Sequence, residues 1–533
     1  LYDGAVYFYD GVLRGETAYS EDTIKAIPDG ATYHLEASAD YDENCWLVAA
    51  EDYLQVGDQT YNSLALAYAA VTAENPTIKV IKDVAIEAAL PESPADKTIV
   101  LDLNGHSLTY TQTLINNGNM TITDSSLAKS GSFNNSNPNL TTIVNNATLT
   151  IDSAVITAKN LAIENKLTLT VNESKITTPQ TVIQSTGTNN NNHATVTITD
   201  SEIESEGRAL YNNSYSDMSV TGSTVSVDNH AVEKTVYGIQ NSSSYTTLTL
   251  DNTDVIVNTA TTDTDTCGYV YAHCTYGISG NVTLTNGSSV TVSAPSGSPA
   301  YGISGTATIQ DSTVTVTAYS PATGVSGTVN ATNSTISATS QNNSAYGLSS
   351  SGATLTNSNV SATTNRSGNY YAYGIYTSSS TATFTITNSH VSSEAEHATS
   401  YGIYGSCSSS GSCMNAIVDG STVTAHSGDK TATGVYGDSY SATKSSRVTL
   451  NSGTISASSD NDASYGIRAA GNTILGGKVE GGTYGIYGTG ANPTVIGKND
   501  GEIDTESPEI LGGSHALYDG AVYFYDGVLR GGN

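Results

Sequence analysis

Between residues 97 and 500, apolar and polar positions alternate in short bursts. TATIQDSTVTVTA (306–318), ATLTNSNVSATT (353–364), ATFTITNSHVSSEA (382–395) and RVTLNSGTISASSD (447–460) each set apolar or β-branched residues at every second position on either side of a polar break. A period of two is that of a strand with one buried face. The breaks read N-S, D-S, G-S or N-S-G, residues that bond their own backbone and tolerate tight turns. The pattern predicts strand, turn, strand, repeatedly, with no helix between.

A third element recurs in register with these pairs. Y-G-I begins at Tyr237, Tyr276, Tyr301, Tyr373, Tyr401, Tyr465 and Tyr484, with Tyr346-Gly347-Leu348, Thr323-Gly324-Val325 and Thr433-Gly434-Val435 as variants. Tyr276 to Tyr301 is 25 residues, Tyr301 to Thr323 is 22, and Tyr373 to Tyr401 is 28. A unit of this size with three short strands is one coil of a parallel β-helix. An ordinary β-sandwich also has short strands, but it would not repeat Y-G-I in register from residue 237 to residue 486. The longer gap of 39 residues from Tyr237 to Tyr276 holds CGYVYAHC and reads as an outward loop.

The first coils are less regular: KTIVLDLNGHSLT (97–109), NGNMTITDSS (117–126) and ATLTIDSAVITAKN (147–160). Upstream, Asn62 or Ser63 can cap a helix of about ten residues that Pro76 stops. That helix is expected to cover the open apolar end of the β-helix, whose edges would otherwise pair with other chains. TIKVIKDVAI then enters the first coil. The expected organisation is a small β-rich linker module at 1–60, the capping helix and entry strand at 61–96, the parallel β-helix at 97–513, and the start of a second linker module at 514–533.

Composition narrows the function. Charged residues are 13% of the chain, against a typical level of about 25%. With 19 bases and 50 acids, the net charge of −31 argues against nucleic acid or an anionic membrane as partner. No run of about 18 apolar residues could span a bilayer. The chain opens mid-motif without Met, which we read as truncation or processing and not as a sign of cytoplasmic location.

Five cysteines are present, and four form two close pairs, Cys267 with Cys274 and Cys407 with Cys413. No zinc spacing occurs. The expectation is two local disulfides in an oxidising compartment, the alternative being incidental thiols. Cys45 is left over and reads as a small buried apolar residue.

Catalytic patterns are absent. Asn252-Thr253-Asp254 resembles one piece of the galacturonan hydrolase signature, but the D-D, G-H-G and R-I-K pieces are missing, so it reads as a turn. His106 reads as structural, beside a turn. Arg14, Arg208, Arg366, Arg447, Arg468 and Arg530 do not cluster with acids as a lyase would need. No cofactor is expected; calcium at TATTDTDTC (259–267) stays open, against a plain solvated loop.

The tyrosines Tyr237, Tyr276, Tyr301, Tyr346, Tyr373, Tyr401, Tyr465 and Tyr484 should stack as a ladder. Facing outward it would be an aromatic strip for glycans or partners. Facing inward it would be core. The adjacent Gly, expected at a bend, prevents alternation from deciding the face; we adopt the structural reading.

One feature lies outside the coils. LYDGAVYFYDGVLRG stands at residues 1–15 and again, letter for letter, at 517–531. Tyr2, Tyr7, Phe8 and Tyr9, with Tyr518, Tyr523, Phe524 and Tyr525, would form the same joint in successive repeats of a tandem array; the alternative is that both copies belong to one ordinary chain, pairing with each other or between subunits end to end.

The order of helix lid, TIKVIKDVAI, LDLNGHSL, N-G-x-(M/L)-T-I-T-D-S coils and YFYDGVLRG resembles the pectate-lyase-like β-helix regions of large bacterial cell-surface proteins, chiefly of Gram-positive anaerobes. The resemblance covers nearly the whole chain. It implies an all-β, right-handed parallel β-helix at the cell surface, often in tandem, in adhesins or structural components, and it carries over no catalytic residue. The expected function is a non-enzymatic repeat unit of an extracellular fibre, stalk or filament. Its partner is itself, end to end, with surface glycans possible. A glycan- or host-binding adhesin domain is the second expectation and a polysaccharide-degrading enzyme the third.

Overall fold

The computed structural model describes residues 51–87, 89–229, 235–259, 274–295, 299–379, 381–406, 414–437, 447–488, 492–498 and 507–532, and the backbone of the strands Val6–Phe8, Val12–Arg14, Ile24–Ala26, Tyr33–Ala37 and Cys45–Ala50. Two compact units, Leu1–Ser219 and Val220–Asn533, are both built of stacked three-strand coils. The fold is the expected parallel β-helix.

In the first unit, one coil runs Thr98–Asp102, Ser107–Tyr110, Leu114–Asn116, and the next runs Asn119–Thr123, Ser132–Asn135, Ile143–Asn145. Each strand pairs in parallel with its counterpart one coil on: Thr98 opposite Asn119, Ser107 opposite Ser132, Leu114 opposite Ile143. The three resulting sheets are called first, second and third in chain order. Alternation sets the faces. In Thr148–Asp152, Leu149 and Ile151 are fully buried while the residues between them are partly exposed. Register stacks like on like, with Ile122, Ile151, Val171 and Ile198 in one column. Same-face neighbours at strand spacing are the unit of sheet stabilisation, so each coil adds one layer to continuous aliphatic columns.

One column inside this unit is polar. Asn116 donates through Nδ2 to Oδ1 of Asn145 at 2.8 Å, and Asn145 does the same to Asn165 at 2.8 Å. Asn165 donates to Ser185 Oγ at 3.0 Å, and Ser216 donates to the same oxygen at 2.7 Å. The three asparagines are fully buried. Their amides also bind backbone carbonyls, as Asn145 does at Thr168 O, 2.7 Å away. Burial is tolerated because each group is partnered.

The N-terminal end is closed. Leu54–Val56 pairs antiparallel with both Gln59–Tyr61 and Thr77–Val80, and the latter strand pairs in parallel with Thr98–Asp102. The helix Leu64–Ala70 buries Leu64, Ala67 and Tyr68, and the Ser63 side chain caps it. Its length corrects the sequence expectation: seven residues rather than about ten, with Val71 rather than Pro76 at its end. A local turn stops it, in which Thr72 N–H donates to Asn75 O and Asn75 N–H donates to Thr72 Oγ1. The Lys97 ammonium donates to Tyr68 O, Ala69 O and Val71 O at 2.7, 3.0 and 2.9 Å. A cation on the last-turn carbonyls satisfies them and complements the helix dipole.

In the second unit, a coil runs Ala300–Ser304 (third sheet), Ala307–Gln310 (first) and Thr313–Ala318 (second). The polar breaks between first and second sheets are tight turns whose leading residue is left-handed: Asn252 at φ 48°, Asp311 at 50°, Asn333 at 51°, Asn357 at 50° and Asn388 at 48°. The next residue is buried and ties coils together. Ser334 N–H donates to Ser358 Oγ at 3.1 Å, Ser358 N–H to Ser389 Oγ at 3.0 Å, and Ser389 N–H to Ser421 Oγ at 2.9 Å. Asn252-Thr253 is one such turn, with buried Thr253 donating to Val220 O and Asp251 O.

The second unit ends on an open coil. Val522–Phe524 pairs with Thr494–Ile496, and Val528–Gly531 with Glu509–Gly512, both in parallel. No described strand covers their other edges. Phe524 continues a first-sheet column whose preceding members, Leu450, Ile474 and Ile496, are fully buried, yet it is 47% exposed. Leu529 continues the second-sheet column of Ile455, Val479 and Ile510 and is 42% exposed.

Candidate functional site

The third sheet of the second unit carries the Tyr-Gly-Ile segments. In Ala300–Ser304 the alanine, glycine and isoleucine are buried, and Tyr301 and Ser304 are partly exposed. Two consecutive inward residues mean that the strand changes phase at the glycine, and the pairing passes from Tyr301–Thr323 to Ile303–Val325 without it. A Cβ at Gly302 would stand 2.4 Å from Val314 Cγ1 and 2.5 Å from Gly324 O. The glycine thus lets the third sheet approach the second, and the phase change turns the tyrosine outward. All eight candidate ladder tyrosines share this register position.

They stack in three runs. Tyr237–Tyr276 and Tyr276–Tyr301 have ring centroids 5.2 and 5.1 Å apart. Tyr346–Tyr373 and Tyr373–Tyr401 are at 5.1 and 5.5 Å, and Tyr465–Tyr484 at 5.2 Å. Thr323 and Thr433 occupy the breaks. His515 extends the last run, 5.9 Å from Tyr484.

A second column runs beside the first, and the sequence reading missed it. It lies three positions later, where Tyr376, Tyr404, Tyr436, Arg468, Tyr487 and Tyr518 are aligned by pairing. Tyr376–Tyr404 and Tyr404–Tyr436 are parallel within 5°, at 5.7 and 5.0 Å. The two columns touch: Tyr401 and Tyr404 are 4.8 Å apart, steeply inclined. Offset stacked and inclined contacts are the arrangements that ring quadrupoles favour. The signal was present as a fourth letter, Y-G-I-Y at 373, 401 and 484, Y-G-I-R at 465 and G-V-Y at 434.

Arg468 is the cation in this strip. Its guanidinium carbon lies 5.4 Å from the Tyr436 centroid, 5.3 Å from Tyr465 and 5.4 Å from Tyr487. Within about 6 Å a cation is attracted by a ring face. Arg208 and Arg366 also lie over rings, of Tyr211 at 4.0 Å and Tyr370 at 5.6 Å.

Crowding raises the phenol pKa values. Burial, helped by Tyr301 and Tyr237, pushes Tyr276 up to about 12. Burial also raises Tyr373, which is only 6% exposed, and Tyr401. These first-column phenols therefore stay neutral, and Arg468 adds a positive charge to the strip. At Tyr376 it borders a cleft of about 270 Å³ lined by Ser326, Ser349, Ser351 and Ser379. Ring faces beside hydroxyls suit a ligand with both C–H and O–H surface.

The other candidates are dispersed. His106 sits at a turn, its N–H bonded to Leu103 O, with Asp83 accepting from Ser107 N–H and facing His106 Nδ1. Those contacts, chiefly the Ser107 N–H, hold the Asp83 carboxyl below its usual range. Two more His–Asp pairs, His193–Asp217 at 2.9 Å and His397–Asp429 at 2.5 Å, lie on separate coils. Among the described residues no cluster of three or more His, Cys, Asp or Glu could hold a metal ion, and no helix is long and apolar enough to cross a membrane. The segment considered for calcium lies, beyond Thr259, outside the described residues, as do Cys267, Cys407, Cys413, Tyr2 and Tyr9. Cys274 is buried. Tyr7 and Phe8 lie in a described strand. Tyr518 ends the second aromatic column, 5.2 Å from Tyr487, so the structure gives it a place in the strip as well as near the joint. Tyr523, Phe524 and Tyr525 are exposed on the last coil.

No protein-family model, curated protein or solved structure matches the chain.

Proposed function

We propose that this chain is a repeat unit of an extracellular bacterial surface fibre or stalk, in which parallel β-helices follow one another end to end. The observation that carries the reading is the paired use of one string. The fifteen residues at 1–15 and 517–531 are identical, and both copies form the same two strands, Val6–Phe8 and Val12–Arg14 in the first, Val522–Phe524 and Val528–Gly531 in the second.

The mechanism is mechanical. Parallel ladders, aliphatic columns and the asparagine and serine columns make each coil a tie to the next. The low content of bases and the net charge of −31 suit a soluble surface protein that neither binds nucleic acid nor inserts in a bilayer. Local disulfides between Cys267 and Cys274 and between Cys407 and Cys413 would brace outward loops; the bonded, buried state of Cys274 supports the first. Membership in the pectate-lyase-like surface β-helix class rests on the motifs given above. Brief protease treatment of intact cells tests the location. Peptides of this chain should be released while cytoplasmic markers stay inside, and release only after lysis would contradict the reading.

A second reading is favoured by the double tyrosine column with Arg468: this face binds glycans. Aromatic faces pack on sugar C–H surfaces, and flanking hydroxyls exchange hydrogen bonds. A glycan array probed with the chain and with Tyr404→Ala tests it. Signal lost in the variant supports binding by the strip, and no signal with either protein removes this reading.

A further inference from the structure

The two strands of the last coil have counterparts of identical sequence elsewhere in the chain. Phe524 and Leu529 of the second copy correspond, letter for letter, to Phe8 and Leu13 of the first. In the first copy both strands have a neighbour. Val6–Phe8 pairs in parallel with Ile24–Ala26, Phe8 standing opposite Ala26. Val12–Arg14 pairs antiparallel with Cys45–Ala50, Leu13 standing opposite Trp46, the sole tryptophan of the chain. Tyr33–Ala37 pairs antiparallel with the same strand on its other side.

From this correspondence we infer that the strands Ile24–Ala26, Tyr33–Ala37 and Cys45–Ala50 are not a leader to the β-helix that follows them but the C-terminal cap of the one before. A segment equivalent to Ile24–Ala50, from the next repeat of the same polypeptide, seats on the last coil. Its first strand extends the first sheet beyond Val522–Phe524. Its antiparallel strand covers Val528–Gly531 and sets the counterpart of Trp46 opposite Leu529 in register. The antiparallel strand also ends the solenoid, because the parallel coil pattern cannot continue across it. The structural repeat therefore begins near the hairpin Leu54–Tyr61, which closes the N-terminal end with its own antiparallel strand, and it ends with the next copy of residue 50.

Two further observations fit. The exposed side chains Tyr523, Phe524, Tyr525, Val528 and Leu529 form an apolar group on an unpaired parallel edge, which proteins otherwise shield. Asp526 is 7% exposed; one carboxylate oxygen accepts from Ser507 Oγ at 2.7 Å, and the other, buried, has no partner among the described residues. A following segment can supply that donor. The two copies diverge after Gly531, Gly532-Asn533 standing where the first has Glu16-Thr17, so the cap is equivalent in fold and need not be identical in sequence.

The inference rests on the end-to-end reading, and its test is separate. Residues 1–531 are extended by a second copy of residues 16–50, and amide hydrogen exchange is compared with that of the 533-residue chain. Exchange at Val522–Phe524 and Val528–Arg530 is expected to slow by about tenfold or more, the signature of an edge that has become interior. A Lys25→Pro change in the appended copy alone should remove the gain at Val522–Phe524, since proline cannot donate to the ladder. Unchanged exchange at both strands in the extended chain overturns the cap. A native polypeptide of single-repeat mass, with protection still gained, would sink the tandem reading and overturn the same-chain source of the cap, while showing that these strands can seat on the last coil.

Discussion

Tyr404 lies parallel to Tyr436 one coil on, with ring planes within 5° and centroids 5.0 Å apart. Strand pairing forces this contact, since the two residues are register partners in the third sheet. Each also meets Tyr401, at 4.8 and 5.5 Å. Tyr404→Ala is expected to cost about 2–4 kcal/mol, the sum of lost apolar burial and of ring pairs worth about 0.5–1.5 kcal/mol each. In a double-mutant cycle with Tyr436→Ala the losses should be non-additive, because the pair shares one contact. Additive losses in chemical denaturation would contradict the stacking.

Arg468 interrupts the second column and faces three rings. Arg468→Leu keeps volume and removes charge, and is expected to lower stability by about 1–2 kcal/mol. Arg468→Lys should recover only part, because a compact ammonium cannot lie flat on several rings. Equal stability of the parent and the leucine variant in denaturant melts would show that the guanidinium only fills space.

The glycines of the Tyr-Gly-Ile segments differ from Gly352, which opens the first-sheet strand Gly352–Thr356. At Gly402 a Cβ would meet Gly434 O at 2.5 Å and Val423 Cγ1 at 2.7 Å, whereas at Gly352 the nearest atom, Thr383 O, is 3.3 Å away. Gly402→Ala should cost about 2–3 kcal/mol through forced separation of the second and third sheets. Gly352→Ala should stay within about 1 kcal/mol of the parent. Thermal melts of the two variants check the contrast.

Asn145 is the middle of the buried amide column, bonded to Asn116 on one side and Asn165 on the other. Asn145→Ala strands buried groups of both neighbours. Each costs about 1–3 kcal/mol, so a loss above about 2 kcal/mol is expected. Asn146→Ala, one residue on and exposed, should be near neutral, its one side-chain contact being with Asn117.

Alkaline pH should destabilise the fold through its tyrosines. The raised pKa values of Tyr276, Tyr373 and Tyr401 mean that the folded chain retains protons the unfolded chain releases. Their contribution is complete below about pH 10, the unfolded value, and shrinks as pH rises above it. Denaturant midpoints should therefore fall between about pH 9 and about pH 11, and phenolate absorbance should lag in the folded protein. A constant midpoint would contradict the burial of the first column.

Much of the fold was legible because stacking repeats a short pattern. Strands such as Thr313–Ala318 alternate cleanly, and each turn announces itself by Asp311-Ser312 or Asn333-Ser334. The face of the tyrosine column was not legible, because Gly302 and Ile303 both point inward and break the period that would have decided it. The second column escaped notice because Ser279, Ser304, Ser326 and Ser349 hold its positions in the earlier coils. Asn116, Asn145 and Asn165 look in sequence like turn residues; only the closed coil shows that they face inward. The helix end was misplaced because Pro76 is a visible stop, whereas the turn between Thr72 and Asn75 is not.

The most direct test of the tandem account is the mass of the native polypeptide on a reducing, denaturing gel. A band several times 55.1 kDa is predicted, since each repeat adds one β-helix and one joint to the same chain. A single band near 55.1 kDa would contradict it.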